Sequence, residues 1–303
     1  MIVLWGLERE PPMAHVATEL ARLGAEVLFL EQRAVAHTDV RLSFRSGGFH
    51  GYIRMPGERV DLRRVHAMYA RPFGADQLVS DSRHAADLRH AQHVEHALWT
   101  WAELTPAMVV NRASAMAPNQ SKPFQSLAIS RAGFRVPETL VTTSPAAARA
   151  FWRKHGQVIY KSLSGVRSRV TRLRAEHMMR LASVAWCPTQ FQAYVPGREH
   201  RVHVVGERIF ACEIISDADD YRYTDSSVEL RPCVLPAEIA DRCRRLTADQ
   251  NLLVAGLDLR RTPAGEWYCF EVNPSPAFPY FEPASGPISQ AIAHLLINPS
   301  ALP

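Results

Sequence analysis

The sequence predicts an α+β fold in three units. A strand–helix–strand pattern opens the chain, a mixed middle section follows, and the last third is strand-rich and closes with a hairpin and a helix. Residues 2–5 are a short apolar run, a buried strand. Pro11-Pro12 precede a helical repeat at Val16, Leu20 and Leu23 that stops at Gly24, and residues 26–30 (EVLFL) give the next strand. Gly6 stands alone after the first strand, so the Gly-rich fingerprint of a dinucleotide site is missing. Residues 42–44 and 52–55 read as strands around Ser46-Gly47-Gly48, and 67–70 as another. Residues 81–104 form a long helix carrying His84, His90, His93 and His96. The last three recur every third residue near one face. With no other ligands converging on them, they read as a polar helix face rather than a metal site.

A second unit begins at Asn111, after a short strand at 108–110. Residues 121–132 are helical and end at Gly133. Pro137 keeps 136–141 extended, and Ser144-Pro145 is an N-cap followed by proline in the first helical turn. A strand at 158–163 runs into the Ser/Gly loop 162–169, and 172–181 reads as a strand and a short helix. The third unit holds strands at 189–195, 200–205 and 208–215, a helix at 236–251, a hairpin over 254–273 and a terminal helix at 287–297. The boundaries are 1–110, 111–187 and 188–303.

At 303 residues, 47% hydrophobic and 21% charged, the chain is long enough for two or three cored units of ordinary globular composition. Its net charge of +5 favours an anionic ligand. No Lys/Arg run or RNA-binding aromatic motif argues for nucleic acid. Five scattered cysteines without a CxxC pair point to reduced thiols rather than to zinc or disulfides. There is no signal-peptide pattern and no run near the roughly 20 apolar residues of a spanning helix, so a cytoplasmic protein with no membrane partner is expected.

The hairpin carries the strongest chemical signal. Glu271 and Asn273 are two apart and share a strand face, and the turn at 262–265 brings Asp258 alongside them. Two carboxylates and an amide oxygen make an all-oxygen set suited to magnesium, which takes its remaining ligands from water and substrate phosphates. Lys122 opens a helix and Lys161 ends a strand before a small Ser/Gly loop. Such lysines suit phosphate oxygens, although either, taken alone, reads first as a solvated surface charge. The GxxxxGK[ST] loop is absent.

Taken in order, these motifs resemble the ATP-grasp superfamily of carboxylate–amine ligases. The series is Ser-Lys-Pro, Ile-Tyr-Lys-Ser before the Ser/Gly loop, Gln-Ala-Tyr-Val, Glu-x-Arg-Val, and Gly-Leu-Asp followed by Glu-x-Asn-Pro. The nearest branch holds ribosomal-protein glutamate ligases, glutathione synthetases and ligases that cyclise ribosomal peptides. The resemblance spans about residues 111–296 and implies an N-terminal preATP-grasp α/β domain, a central lid and a C-terminal magnesium subdomain. It implies ATP and Mg2+ as cofactors. Lys122 and Lys161 would meet nucleotide phosphate, Ser162, Ser164 and Gly165 would close over it, and Gln192, Ala193, Tyr194 and Val195 would form the adenine-reading hinge. Glu199 would take the ribose, Arg201 would face phosphate or substrate, and Asp258, Glu271 and Asn273 would hold magnesium. Arg222 is the candidate clamp for a substrate carboxylate; a solvated loop arginine is the alternative. Arg167 and Arg169 beside the loop add to an anionic acceptor.

The implied reaction makes an acyl phosphate from ATP and a carboxylate and passes it to an amine or hydroxyl. The expected partners are ATP and an anionic peptide or amino-acid-like acid. Small-molecule ligation and ATP binding without catalysis are the competing readings, and a homo-oligomer is compatible with the sequence.

Overall fold

The computed structural model of the chain describes residues 1–45, 48–78, 85–163, 170–216, 228–282 and 286–299. The first unit starts with β1 (Ile2–Gly6), α1 (Pro11–Arg22) and β2 (Val27–Glu31), the two strands lying parallel. β1 is buried along its whole length, as a strand covered on both faces must be, which is why its residues are uniformly apolar. Next come β3 (Asp39–Arg45), β4 (Gly48–Met55) and β5 (Glu58–Asp61), an antiparallel sheet of their own. With β6 (Ala67–Ala70), α2 (Ala75–Leu78), α3 (Ala85–Leu104) and β7 (Met108–Val110), a parallel sheet of order β2-β1-β6-β7 is complete. On α3 the His90 ring bonds to the Thr38 carbonyl at 2.9 Å, and His93 and His96 are exposed.

The chain continues through α4 (Ala113–Met116) and α5 (Lys122–Arg131) into a small antiparallel sheet. Its members are β8 (Thr139–Thr142), then α6 (Pro145–His155), β9 (Val158–Ser162), β10 (Thr171–Arg172) and β11 (Thr189–Ala193), in the order β10-β9-β11-β8. Ser144 caps α6 by accepting from the Ala147 N–H at 3.3 Å. A 3-10 segment, Ala175–Trp186, precedes β11. Ala148, Phe151, Val158, Leu181 and Phe191 close a separate small core.

β11 is laddered to β8 and β9, so the central sheet runs past residue 187 to Ala193. Ala115, Ile129, Ala132 and Phe134 pack into the core of the last unit, so the segment after Asn111 belongs there. Alternation along a strand shows that one face is buried, but not which sheet buries it.

The last unit contains β12 (Arg198–Val205), β13 (Arg208–Ile215), β14 (Glu229–Cys233), α7 (Ala237–Ala248), β15 (Val254–Arg261), β16 (Trp267–Asn273) and α8 (Pro287–Ile297). Its five strands form one antiparallel sheet, β14-β13-β12-β15-β16. Val202, Val204, Leu257, Leu259, Cys269 and Val272 pack with Ile239, Cys243 and Leu246 of α7 and Ile129 of α5. α8 returns to the first unit, where Ile288, Ile292 and Leu296 join Leu4, Met13 and Leu20. The five cysteines are free thiols. Among the described residues, no helix is long and apolar enough to cross a membrane.

Candidate active site

Because 255, 257 and 259 of β15 face the core, Gly256, Asp258 and Arg260 face away from it. β16 follows the same rule: Val272 is core, while Asp258 lies opposite Glu271 and Gly256 opposite Asn273. The turn between them is closed by Thr262, whose N–H donates to Glu266 O at 2.9 Å and whose Oγ1 accepts from the Glu266 N–H at 3.1 Å. Gly265 supplies the positive φ of 83° that the turn needs. A register shift between Asp258 and Leu259 marks a bulge, a device that re-aims side chains beside a site.

Arg201 on β12 pairs in register with Asp258 and is 7% exposed. Its Nη1 donates to Asp258 Oδ1 at 2.5 Å. It lies across the sheet over Gly256, where an added Cβ would sit 2.2 Å from Arg201 Nη2 and 2.8 Å from the Pro276 Cβ. A side chain at 256 would therefore displace the guanidinium. Arg201 Nε donates to His203 Nε2 at 3.4 Å. Burial, reinforced by the Arg201 charge, pushes the His203 pKa well below its ordinary value, so the ring is neutral and can accept.

Facing this sheet, Ile159, Lys161, Val170, Gln192, Ala193, Tyr194 and Val195 line one side of a cleft. Glu199, Ile214, Asp258, Leu259, Arg260, Phe270 and Glu271 line the other. Apolar Ile159 and Val170 against Ile214 and Phe270 suit a flat aromatic base, and the polar groups gather toward Asp258 and Glu271. Gln192 is 4% exposed, and among the described residues its Oε1 has no hydrogen-bond partner. An amide acceptor and the carboxylates of Asp258 and Glu271 thus line one cleft, which fits an adenine edge and a cation. Among the described residues no three His, Cys, Asp or Glu side chains converge. A cation at Asp258 and Glu271 would therefore complete its shell with the Asn273 amide and with water or phosphate oxygens, as magnesium does.

Arg260 carries no motif that singles it out. It pairs with Glu199, and its Nη1 donates to the Val195 carbonyl at 2.7 Å. It thereby ties the segment at Val195 to the sheet. One signal points to it: Arg260 is two residues from Asp258, on the same strand face.

Of the residues singled out by motif, the cleft collects Lys161, Gln192, Ala193, Tyr194, Val195, Glu199, Asp258 and Glu271. Arg201 reaches it through Asp258, and Asn273 shares the sheet face. Lys122, half-buried at the start of α5, and the exposed Ser162 at the end of β9 are not among the lining residues. Ser164, Gly165 and Arg222, with Arg167 and Arg169, lie outside the described residues.

No family model matches the sequence, and no curated protein does. Solved structures match along nearly the whole chain. The macrocyclase MdnC from Microcystis aeruginosa MRC, bound with precursor peptide MdnA, superposes with a TM-score of 0.83 at 24% identity, covering 98% of this chain and 99% of that one. A RiPP-associated ATP-grasp ligase from Chryseobacterium gregarium, in complex with ADP and a leader and core peptide, gives 0.82 at 21% identity, over 98% and 96%. The ATP-grasp ligase PsnB, complexed with minimal precursor, gives 0.80 at 26% identity, over 98% of both chains. The chain has the ATP-grasp fold, running from its first strand to its last helix.

Proposed function

We propose that the chain is an ATP-dependent, ADP-forming ligase that activates a carboxylate of a peptide as an acyl phosphate and joins it to an amine or hydroxyl. The observation that carries the reading is the single cleft in which Lys161, Val195, Glu199, Asp258 and Glu271 meet between two sheets. The solved structures with the same fold include one with ADP and a leader and core peptide, which makes a peptide the favoured substrate class. The net charge of +5 favours an anionic one.

A carboxylate is a poor electrophile because oxide is a poor leaving group. Its oxygen must displace ADP from the γ-phosphoryl group, after which the incoming nucleophile displaces phosphate. Two anions have to approach, so fixed positive charge belongs beside them. Lys161 would supply it from the lid, and Arg201, held by Asp258, from the sheet. Asp258, Glu271 and Asn273 would hold magnesium, which when bound neutralises phosphate oxygens and aids departure of ADP. Val195 N–H and Gln192 would read the adenine edge, and Glu199 the ribose, held in place by Arg260. Lid and sheet together would exclude water, which otherwise competes for the acyl phosphate. Lys122, Ser162, Ser164 and Gly165 are assigned to the phosphates by motif, and Arg222 to the acceptor carboxylate.

The test is incubation with ATP, Mg2+ and the peptide encoded beside its gene, followed by mass spectrometry. Loss of one water per bond, dependent on ATP, is expected. An unchanged peptide alongside rapid ligation of free amino acids would move the activity to small molecules. ATP binding without turnover of either would remove the ligase reading.

A further inference from the structure

The outer edge of β16 is covered by the segment that precedes the lid, and two of the covering groups are buried side-chain amides. Gln125 of α5 is 4% exposed and behaves as a surrogate strand. Its Nε2 donates to Val272 O at 2.7 Å and to Asn119 Oδ1 at 3.2 Å, and its Oε1 accepts from the Val272 N–H at 3.2 Å. Asn111, at the end of β7, is 3% exposed and fills its whole hydrogen-bonding capacity on one hairpin. Its Nδ2 donates to Val254 O at 2.7 Å and to Pro274 O at 2.6 Å. Its Oδ1 accepts from the N–H groups of Leu253 at 2.8 Å and Val254 at 3.2 Å. One amide thus grips Val272, the residue before Asn273, and the other the carbonyl of Pro274, the residue after it. Asn111 also ties the start of β15 to the end of β16, closing the hairpin at the end opposite its turn. Between the two grips, Asn273 Oδ1 accepts from the Ser275 N–H at 2.9 Å, which sets the side-chain rotation.

We propose that Gln125 and Asn111 are positioning residues that fix the backbone on either side of Asn273, and so set the divalent-cation affinity of the Asp258, Glu271 and Asn273 cluster without touching ion or nucleotide. The inference rests on the cation-site reading above. An edge strand needs its buried peptide groups satisfied, but an apolar cover with stray waters could do that without fixing position along the strand. A primary amide that reads both the N–H and the C=O of one residue admits only one registration. Ligand oxygens tolerate displacements of only about 0.5 Å before a site loses its geometry, so the registration of residues 272–274 reaches the cation directly.

Gln125→Glu isolates the effect. It keeps the acceptor for the Val272 N–H but replaces the donor with an oxygen facing two carbonyl oxygens. Mn2+ binding to the chain with ADP, followed by the electron paramagnetic resonance of free Mn2+, should weaken by about 10–100-fold, the range for groups that orient metal ligands, while ADP binding without metal changes by less than about twofold. Glu271→Gln serves as the control that removes a ligand. Wild-type Mn2+ affinity in folded Gln125→Glu, with loss in Glu271→Gln, would overturn the positioning role alone. A wild-type chain that takes up no Mn2+ would overturn both this inference and the cation site. Should Gln125→Glu fail to fold, Asn111→Asp carries the same readout. Loss of folded protein in both would also overturn the proposal, because the amides would then hold the fold rather than the site.

Discussion

The two faces of the five-stranded sheet are written in alternate residues of the same strands, and they do opposite work. On β15, residues 255, 257 and 259 are buried in apolar core, whereas 258 and 260 bear charges on the cleft side. On β12 the alternation sets Val202 and Val204 against Arg201 and His203. One face holds the sheet to α5 and α7 and carries stability, and the other holds an ion pair, a neutral histidine and the Glu271 carboxylate. A site built this way inherits the rigidity of the core directly behind it.

The strongest way to break that comparison is to remove one residue from each face. Glu271→Ala should lower peptide-dependent ATP turnover by at least about 100-fold while leaving the melting temperature near that of the wild type. Leu257→Ala, its neighbour across the sheet, should cost about 2–5 kcal/mol of stability by opening a cavity. Calorimetry and a turnover assay on both variants check the separation. If Glu271→Ala unfolds the protein, the faces are not independent.

That alternation is legible in the sequence, because a period of two fixes which residues share a face. The Asp258, Glu271 and Asn273 cluster follows from it, together with the turn residues between the strands. Partnership across the chain is not legible. Arg260 grips Val195 and Glu199 some sixty positions earlier, and no local pattern predicts that pairing. Asn111 and Gln125 read as a loop residue and a helix residue. β5 and β14 escape notice because Glu58–Asp61 and Glu229–Cys233 are short and charged, and the second contains Pro232, a residue tolerated at the outer strand it occupies.

The next effect sharpens the comparison within the cleft. Lys161→Met should reduce turnover by about 100-fold, whereas replacing His90, His93 and His96 together should leave turnover nearly unchanged. Parallel assays decide it, and lost activity accompanied by loss of a bound metal in the histidine variant would reverse the assignment.

A smaller effect concerns Gly256, where the faces meet through Arg201. Gly256→Ala should cost about 1–3 kcal/mol from overpacking and raise the KM for ATP as the guanidinium is pushed off Asp258. Denaturant titration and steady-state kinetics measure the two parts. A variant with wild-type values in both would mean that Arg201 moves aside freely.

The smallest is a pH dependence. The folded His203 pKa lies below that of the unfolded chain, about 6.5. Between the two values the unfolded chain binds more protons, so His203 makes stability fall as pH drops below about 6.5. His200, also lowered mainly by burial, acts in the same direction. Melting temperatures from pH 7.5 to 5.5 should decline less steeply in His203→Gln than in the wild type; equal slopes would show that His203 is protonated in the fold.

The most direct test of the central claim follows oxygen. A substrate peptide carrying ¹⁸O in its side-chain carboxylates, incubated with ATP and Mg2+, should transfer one ¹⁸O to the inorganic phosphate for each bond formed, seen as an isotope shift in the ³¹P spectrum. Modified peptide accompanied by unlabelled phosphate would contradict activation through an acyl phosphate.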